Sequence, residues 1–111
     1  MDEITKLFEL RKWEAENLPL CKNTVGYAVF ECIVNSVILG AYPTIKEVVN
    51  SLPRFSRAGI YLQLKQLESD AWITYSNGAS DARNKHIIPT ERLLSLIQQY
   101  ASRARQILKF D

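Results

Sequence analysis

A mainly α chain carrying one small β-hairpin is the fold this sequence predicts, and three observations predict it. Residues 45–51 read as a short helix, with Thr44 placed as its N-cap and Ile45, Val48, Val49 and Leu52 recurring on one face. After the break at Pro53, Ser56 caps a longer helix over residues 57–70, with Ile60, Leu64, Leu67 and Ala71 facing inward. Two stretches of β-formers, residues 72–75 and 86–88, then flank a run of turn residues, 76–85. Helix, turn, helix and hairpin in that order describe a winged helix-turn-helix, with one helical arm before it and one after.

The totals are compatible with a single domain over residues 1–111: an arm at 1–20, the winged helix at 24–90 and a dimerisation helix at 91–111. Hydrophobic residues make up 47% of the chain, too many for a disordered protein. The net charge of +2 is only weakly basic, so its distribution matters more than its sum. Residues 1–20 carry five acids (Asp2, Glu3, Glu9, Glu14, Glu16) against three bases (Lys6, Arg11, Lys12). Residues 54–86 reverse the balance, with Arg54, Arg57, Lys65, Arg83 and Lys85 against Glu68, Asp70 and Asp81. The basic excess therefore falls on the second helix and the hairpin, and on the last helix.

The first arm, residues 2–17, starts with Asp2 and Glu3, which suit a helix N-terminus. Ile4, Leu7 and Phe8 form one apolar face, with Leu10 and Trp13 on a neighbouring stripe. That surface needs cover, from a partner subunit or from the arm folding back on its own domain. Leu18-Pro19-Leu20 breaks the helix. Thr24 caps the next one, residues 25–39, which is apolar around most of its circumference and should be central; Glu31 is its single charge. Gly40 ends it and Tyr42-Pro43 forces a turn. Gly59 is unusual inside a helix, where glycine costs about 1 kcal/mol against alanine. In the first turn it permits close approach of a phosphate or another helix. Thr90 caps the last helix, residues 91–110, in which Leu93, Ile97, Tyr100, Ala104 and Ile107 are spaced four, three, four and three, with Leu94, Ala101 and Leu108 alongside. Roughly two heptads suit packing beside a symmetry mate better than an independent coiled coil.

Several classes are disfavoured. Two cysteines, Cys21 and Cys32, without a CxxC pair and with only one histidine, argue against a metal site and read as ordinary reduced thiols. No paired catalytic spacing and no Gly-rich phosphate loop are present, so neither enzymatic activity nor a cofactor is expected. The first 16 residues are charged throughout, unlike a signal peptide. The apolar stretch at 25–42 is interrupted by Glu31, Asn35 and Ser36, so it reads as a buried helix rather than a membrane span. The expected setting is cytoplasmic, in association with the nucleoid.

The positive expectation is a grip on duplex DNA. A helix entering the major groove shows polar and basic residues near its N-terminus. Ser56, Arg57, Tyr61 and Lys65 meet that description, with Arg54 in the turn ahead. Arg57 is the best candidate to read a base edge, since its fork matches guanine O6 and N7, whereas Ser56 and Lys65 suit phosphates. Tyr61 suits a thymine methyl or a phosphate. Asn77, Arg83, Asn84 and Lys85 give the hairpin a basic tip able to enter a minor groove.

Residues 56–73, the Asp81-x-Arg83 spacing and the closing Ile87-Ile88-Pro89-Thr90 resemble the winged helix of MarR-type bacterial regulators. The resemblance covers residues 25–111. It implies a homodimer with interlocked terminal helices, Arg57 and Tyr61 on a recognition helix, and Arg83 on a wing tip. Two departures stand out. Ala71 occupies the place of the glycine that usually ends the recognition helix, so that turn should differ. The chain is also shorter than typical members, which leaves less room for an effector pocket and argues against a small-molecule effector. The leading expectation is a dimeric, sequence-preferring binder of double-stranded DNA, most simply a repressor acting at an inverted repeat. The alternatives are a winged-helix adaptor for protein partners, for which Leu62 near the outer face speaks, and a plasmid- or phage-type partition protein.

Overall fold

The computed structural model describes residues 2–19, 23–76 and 84–109. Helices α1 (Asp2–Asn17), α2 (Thr24–Ile38), α3 (Ile45–Ser51) and α4 (Arg57–Ser69) are followed by strands β1 (Ile73–Tyr75) and β2 (Ile87–Pro89) and helix α5 (Glu91–Leu108). The strands are antiparallel, with Ile73 opposite Pro89 and Tyr75 opposite Ile87. An isolated bridge between Thr44 and His86 adds the residue before α3 to the sheet.

One apolar cluster holds these elements together. Val29, Phe30 and Ile33 of α2, Val48 of α3, and Ile60, Leu64 and Leu67 of α4 are buried in it. Ile73, Ile87 and Leu93 close it from the hairpin and the start of α5. Spacings of four and three put Ile60, Leu64 and Leu67 on one side of α4, as the sequence predicts. The fourth predicted inward residue, Ala71, is exposed, because the helix has already ended before it. α2 is central in its first three turns only: Ile38 and Leu39, at its end, are 66% and 82% exposed.

Capping explains most of the boundaries. Thr44 and Glu47 form a reciprocal box: the Glu47 N–H donates to Thr44 Oγ1 at 3.1 Å, and the Thr44 N–H donates to Glu47 Oε1 at 3.1 Å. The Thr44 hydroxyl also donates to that carboxylate at 3.0 Å. The backbone hydrogen bond, then the hydroxyl, hold the Glu47 carboxyl below its ordinary value of 4.5. A depressed folded-state value means that the box contributes stability above pH 4.5 and loses it as pH falls through the lower value. Thr44→Ala is expected to cost about 1 kcal/mol in denaturant titration at neutral pH. Its penalty against the parent should shrink at acid pH; a penalty independent of pH would count against the carboxylate's part.

The N-cap of α2 is Asn23, not Thr24: Asn23 Oδ1 accepts the Gly26 N–H at 2.6 Å, and Thr24 is the first helical residue. The strands are also offset by one residue from expectation, starting at Ile73 rather than residue 72 and at Ile87 rather than residue 86. α5 is helical to Leu108, with Lys109 left-handed after it.

The turn after α4 is the largest departure from expectation. α2 ends in a Schellman turn: Gly40 has φ +77°, its N–H reaches the Val37 carbonyl at 3.0 Å, and the Ala41 N–H reaches that of Ser36 at 2.9 Å. α4 ends in the same way. Ala71 has φ +62°, its N–H reaches Glu68 O at 3.0 Å, and the Trp72 N–H reaches Leu67 O at 2.9 Å. The turn therefore keeps the glycine geometry with an alanine in it. A left-handed L-residue costs roughly 1–2 kcal/mol, and glycine's freer unfolded chain returns about 0.4–1 kcal/mol of that. Ala71→Gly should stabilise the protein by about 0.5–1 kcal/mol, seen as a rise of roughly 3–5 °C in thermal midpoint. A fall would show that the methyl group makes a contact worth more than the strain.

The arms lie together. α1 packs on α5, and the molecule is 51 Å long but only 27 by 22 Å across. Trp13 stacks on Tyr100 with ring centroids 5.6 Å apart. Beside them the Tyr100 hydroxyl donates to the buried carboxylate of Glu14. Folding back does not cover the other face of α1: Ile4, Leu7 and Phe8 are 47%, 48% and 69% exposed.

Candidate nucleic-acid interface

α4 presents its N-terminal half outward. Ser56 is its N-cap, its Oγ accepting the Gly59 N–H at 3.0 Å, so this hydroxyl serves the helix first and still has its O–H to donate to a ligand. An added Cβ at Gly59 would stand 3.0 Å from that Oγ and 4.0 Å from Val25 Cγ1. The close approach expected of Gly59 is therefore made to the cap and to α2. Arg57 is exposed at the first helical position, and Lys65 is exposed two turns on. Tyr61 is only half-exposed and packs against the core, so it flanks the outer face. Leu62, between them, is 64% exposed.

Between α4 and the hairpin lies a trough of about 610 Å³. Ala58, Tyr61, Leu62 and Tyr75 line it, with Lys65 and Lys85 beside them and Glu68 as the acid among the described lining residues. Burial, then Glu68 and Tyr61, push the Tyr75 hydroxyl up to about 12, so it stays neutral and able to donate. Lys85 of the hairpin and Lys65 of the helix, each singled out by the sequence on separate grounds, thus meet at one site. Asn84 is exposed just before Lys85. Arg54 lies elsewhere: its guanidinium stacks on Phe55 at 4.9 Å, and it borders a second cleft. Asn77, Asp81 and Arg83 lie outside the described residues.

The base of the hairpin is anchored to the segment before α3. The Ile87 N–H donates to Pro43 O at 2.7 Å. His86 Nδ1 stands 2.6 Å from the Tyr42 carbonyl, which requires that nitrogen to carry the hydrogen. Ser76 and His86 bond each other, backbone to backbone at 3.0 Å and through the Ser76 hydroxyl at 2.9 Å. At the far end of α4, Thr90 Oγ1 donates to the carbonyls of Ala71 and Trp72 at 2.8 and 3.0 Å. Arg92 donates to Asp70 O and lies 3.9 Å over the Trp72 ring. Thr90 and Arg92 fix where α4 stops, a role for Thr90 beyond that of a helix cap.

The second cleft, about 630 Å³, is bordered by Arg11 and Glu14 of α1, Tyr27 and Glu31 of α2, and Arg54. Its volume falls in the range of small-molecule sites, although the sequence argues for little room. Among the described residues no group of histidine, cysteine, aspartate or glutamate could hold a metal ion. None of the described helices is long and apolar enough to cross a membrane. Burial raises the Cys32 thiol above its ordinary value, which keeps it protonated; Cys21 lies outside the described residues.

No family model matches the chain, and no curated protein matches it in sequence. Solved structures do. A transcriptional regulator from Thermotoga maritima superposes with a TM-score of 0.69 at 16% identity, over 96% of this chain and 69% of that one. Apo MarR from E. coli gives 0.58 at 17% identity, over 98% and 78%. The fold is that of the MarR-like winged helices. A MarR-like transcriptional regulator, also from T. maritima, gives 0.62 at 19% identity, over 96% and 75%. In that architecture the β1–β2 hairpin is the wing, and α4 is the helix that precedes it.

Proposed function

We propose that this chain binds double-stranded DNA as a homodimer and acts as a transcriptional repressor at an inverted repeat. The observation that carries the reading is the meeting of Lys65 and Lys85 across one trough, beside an exposed Arg57 at the start of α4. Two elements distant in sequence thereby offer cations to one ligand, as a duplex held between major groove and backbone requires. The uncovered Ile4, Leu7 and Phe8, on a helix already packed against α5, supply an apolar surface for the second copy. Residues 1–20 and 91–111 are accordingly the dimer arms of a single domain, and residues 24–90 its DNA-binding body.

Selection from a random duplex pool tests this directly. The expected product is an inverted repeat whose half-sites lie about 34 Å apart, one helical turn. Affinity should fall with salt, with a slope of about −0.9 per phosphate contacted. Binding indifferent to salt from low to physiological levels would remove the phosphate contacts and with them this reading. The adaptor reading is favoured by one observation, the exposure of Leu62 on the outer face of α4.

A further inference from the structure

The centre of α4's outer face is apolar. At 100° per residue, the buried Ile60, Leu64 and Leu67 define one side of the helix, and Ala58 and Leu62 fall nearly opposite. Leu62 is 64% exposed and Ala58 is exposed one turn earlier, so the pair makes a stripe leading into the trough beside the hairpin. Cations stand around it: Arg57 at the start of the helix, Lys65 one turn beyond Leu62, and Lys85 across the trough. Glu68 limits that positive field at the far end.

Resting on the proposed DNA binding, we infer that Ala58 and Leu62 read thymine methyl groups and so determine which half-site is chosen. The C5 methyl of thymine is the apolar feature that the major groove presents, and small aliphatic side chains meet it by contact alone. A duplex occupant satisfies both parts of the surface together, phosphates on the surrounding cations and methyls on the stripe. An apolar protein groove would bury the stripe but leave Arg57, Lys65 and Lys85 facing hydrocarbon, at a desolvation cost. Arg57 precedes the stripe on the same helix, so the half-site should place a guanine next to a short run of thymines.

The test uses the full chain and the duplex recovered by selection, with deoxyuridine replacing thymidine at each half-site position in turn. This removes one methyl and leaves every base-pair hydrogen bond intact. At the positions contacted, affinity should drop about fourfold per methyl, the value of one buried CH₂. Leu62→Ala should lose a similar factor per half-site on the thymine duplex and lose uracil sensitivity at the positions that Leu62 contacts, while keeping it at those that Ala58 contacts. Leu62 is exposed, so its removal should not compromise folding, which circular dichroism checks. Equal affinity for thymine and uracil duplexes would overturn the inference while leaving DNA binding intact. A Leu62→Ala variant that keeps full affinity and full uracil sensitivity would overturn it too, and would point the stripe toward a protein partner. A chain that selects no duplex at all removes the underlying function and this inference together.

Discussion

Arg57→Ala, Lys65→Ala and Lys85→Ala combined are expected to lower affinity for the selected duplex by about 10²–10³-fold. The three substitutions act differently. Arg57, exposed at the first turn of α4, is assigned to a base edge, where a bidentate pair contributes about 1–3 kcal/mol of discrimination. Its loss, made twice in a dimer, should relax sequence preference at one position per half-site. Lys65 and Lys85 meet across the trough and are assigned to phosphates. Removing them should weaken all duplexes alike and flatten the salt dependence by about 0.9 for each phosphate no longer neutralised. Titrations on selected and scrambled duplexes at several salt concentrations separate the two effects. Undiminished affinity in the triple variant would mean that the ligand meets another face. Equal losses of specificity from all three single variants would reject the division between reading and positioning.

Tyr100→Phe is expected to destabilise the fold by about 2–3 kcal/mol, a fall of roughly 10 °C in thermal midpoint. Tyr100 donates its hydroxyl to Glu14, the buried charged residue of α1. Phenylalanine keeps the stack on Trp13 but removes the donor that the buried Glu14 side chain uses, and an unsatisfied buried polar group costs more than the hydrogen bond contributed. Adding Glu14→Leu should recover most of the loss, because the unsatisfied group is then gone. A Tyr100→Phe protein as stable as the parent would show that Glu14 is satisfied by other groups. A double variant no better than the single would place the cost in packing instead.

The elements of this fold are legible in the sequence where one residue type has one reason to be present. Thr44, Ser56 and Thr90 each stand just before an apolar-periodic run and each caps it. Asn23 and Thr24 are adjacent and both capable of capping, so periodicity cannot choose between them; the longer Asn23 side chain reaches the Gly26 N–H. The one-residue strand offset has a cause as well. Trp72 is spent on closing the turn after α4, so pairing starts at Ile73. That turn is hidden from sequence because left-handed backbone is visible there only when glycine occupies it. Gly40 announces its turn, whereas Ala71 conceals an identical one.

The sequence names candidate contact residues, but not which of them the fold brings together. Lys65 and Lys85 share a trough, while Arg54 sits at a different cleft, and no spacing rule distinguishes the two outcomes. Glu14 carries a partial signal in the sequence: it stands four residues from both Leu10 and Leu18, and a carboxylate between two leucines on one helix row needs a donor.

The clamp at the end of α4 couples two parts of the molecule that have different duties. Thr90 and Arg92, from the cap and first turn of α5, hold the carbonyls of residues 70, 71 and 72. α5 therefore cannot tilt without carrying the end of α4 with it. In a dimer joined along its arms, the angle between the two copies of α5 acts as a caliper whose jaws are the two α4 helices. In the proposed dimer, a change of a few degrees at the arms would change the half-site spacing that the pair can span. Cutting the clamp with Thr90→Val and Arg92→Ala would let each jaw swing independently, and such a protein should accept half-sites one base pair nearer or farther apart that the parent rejects.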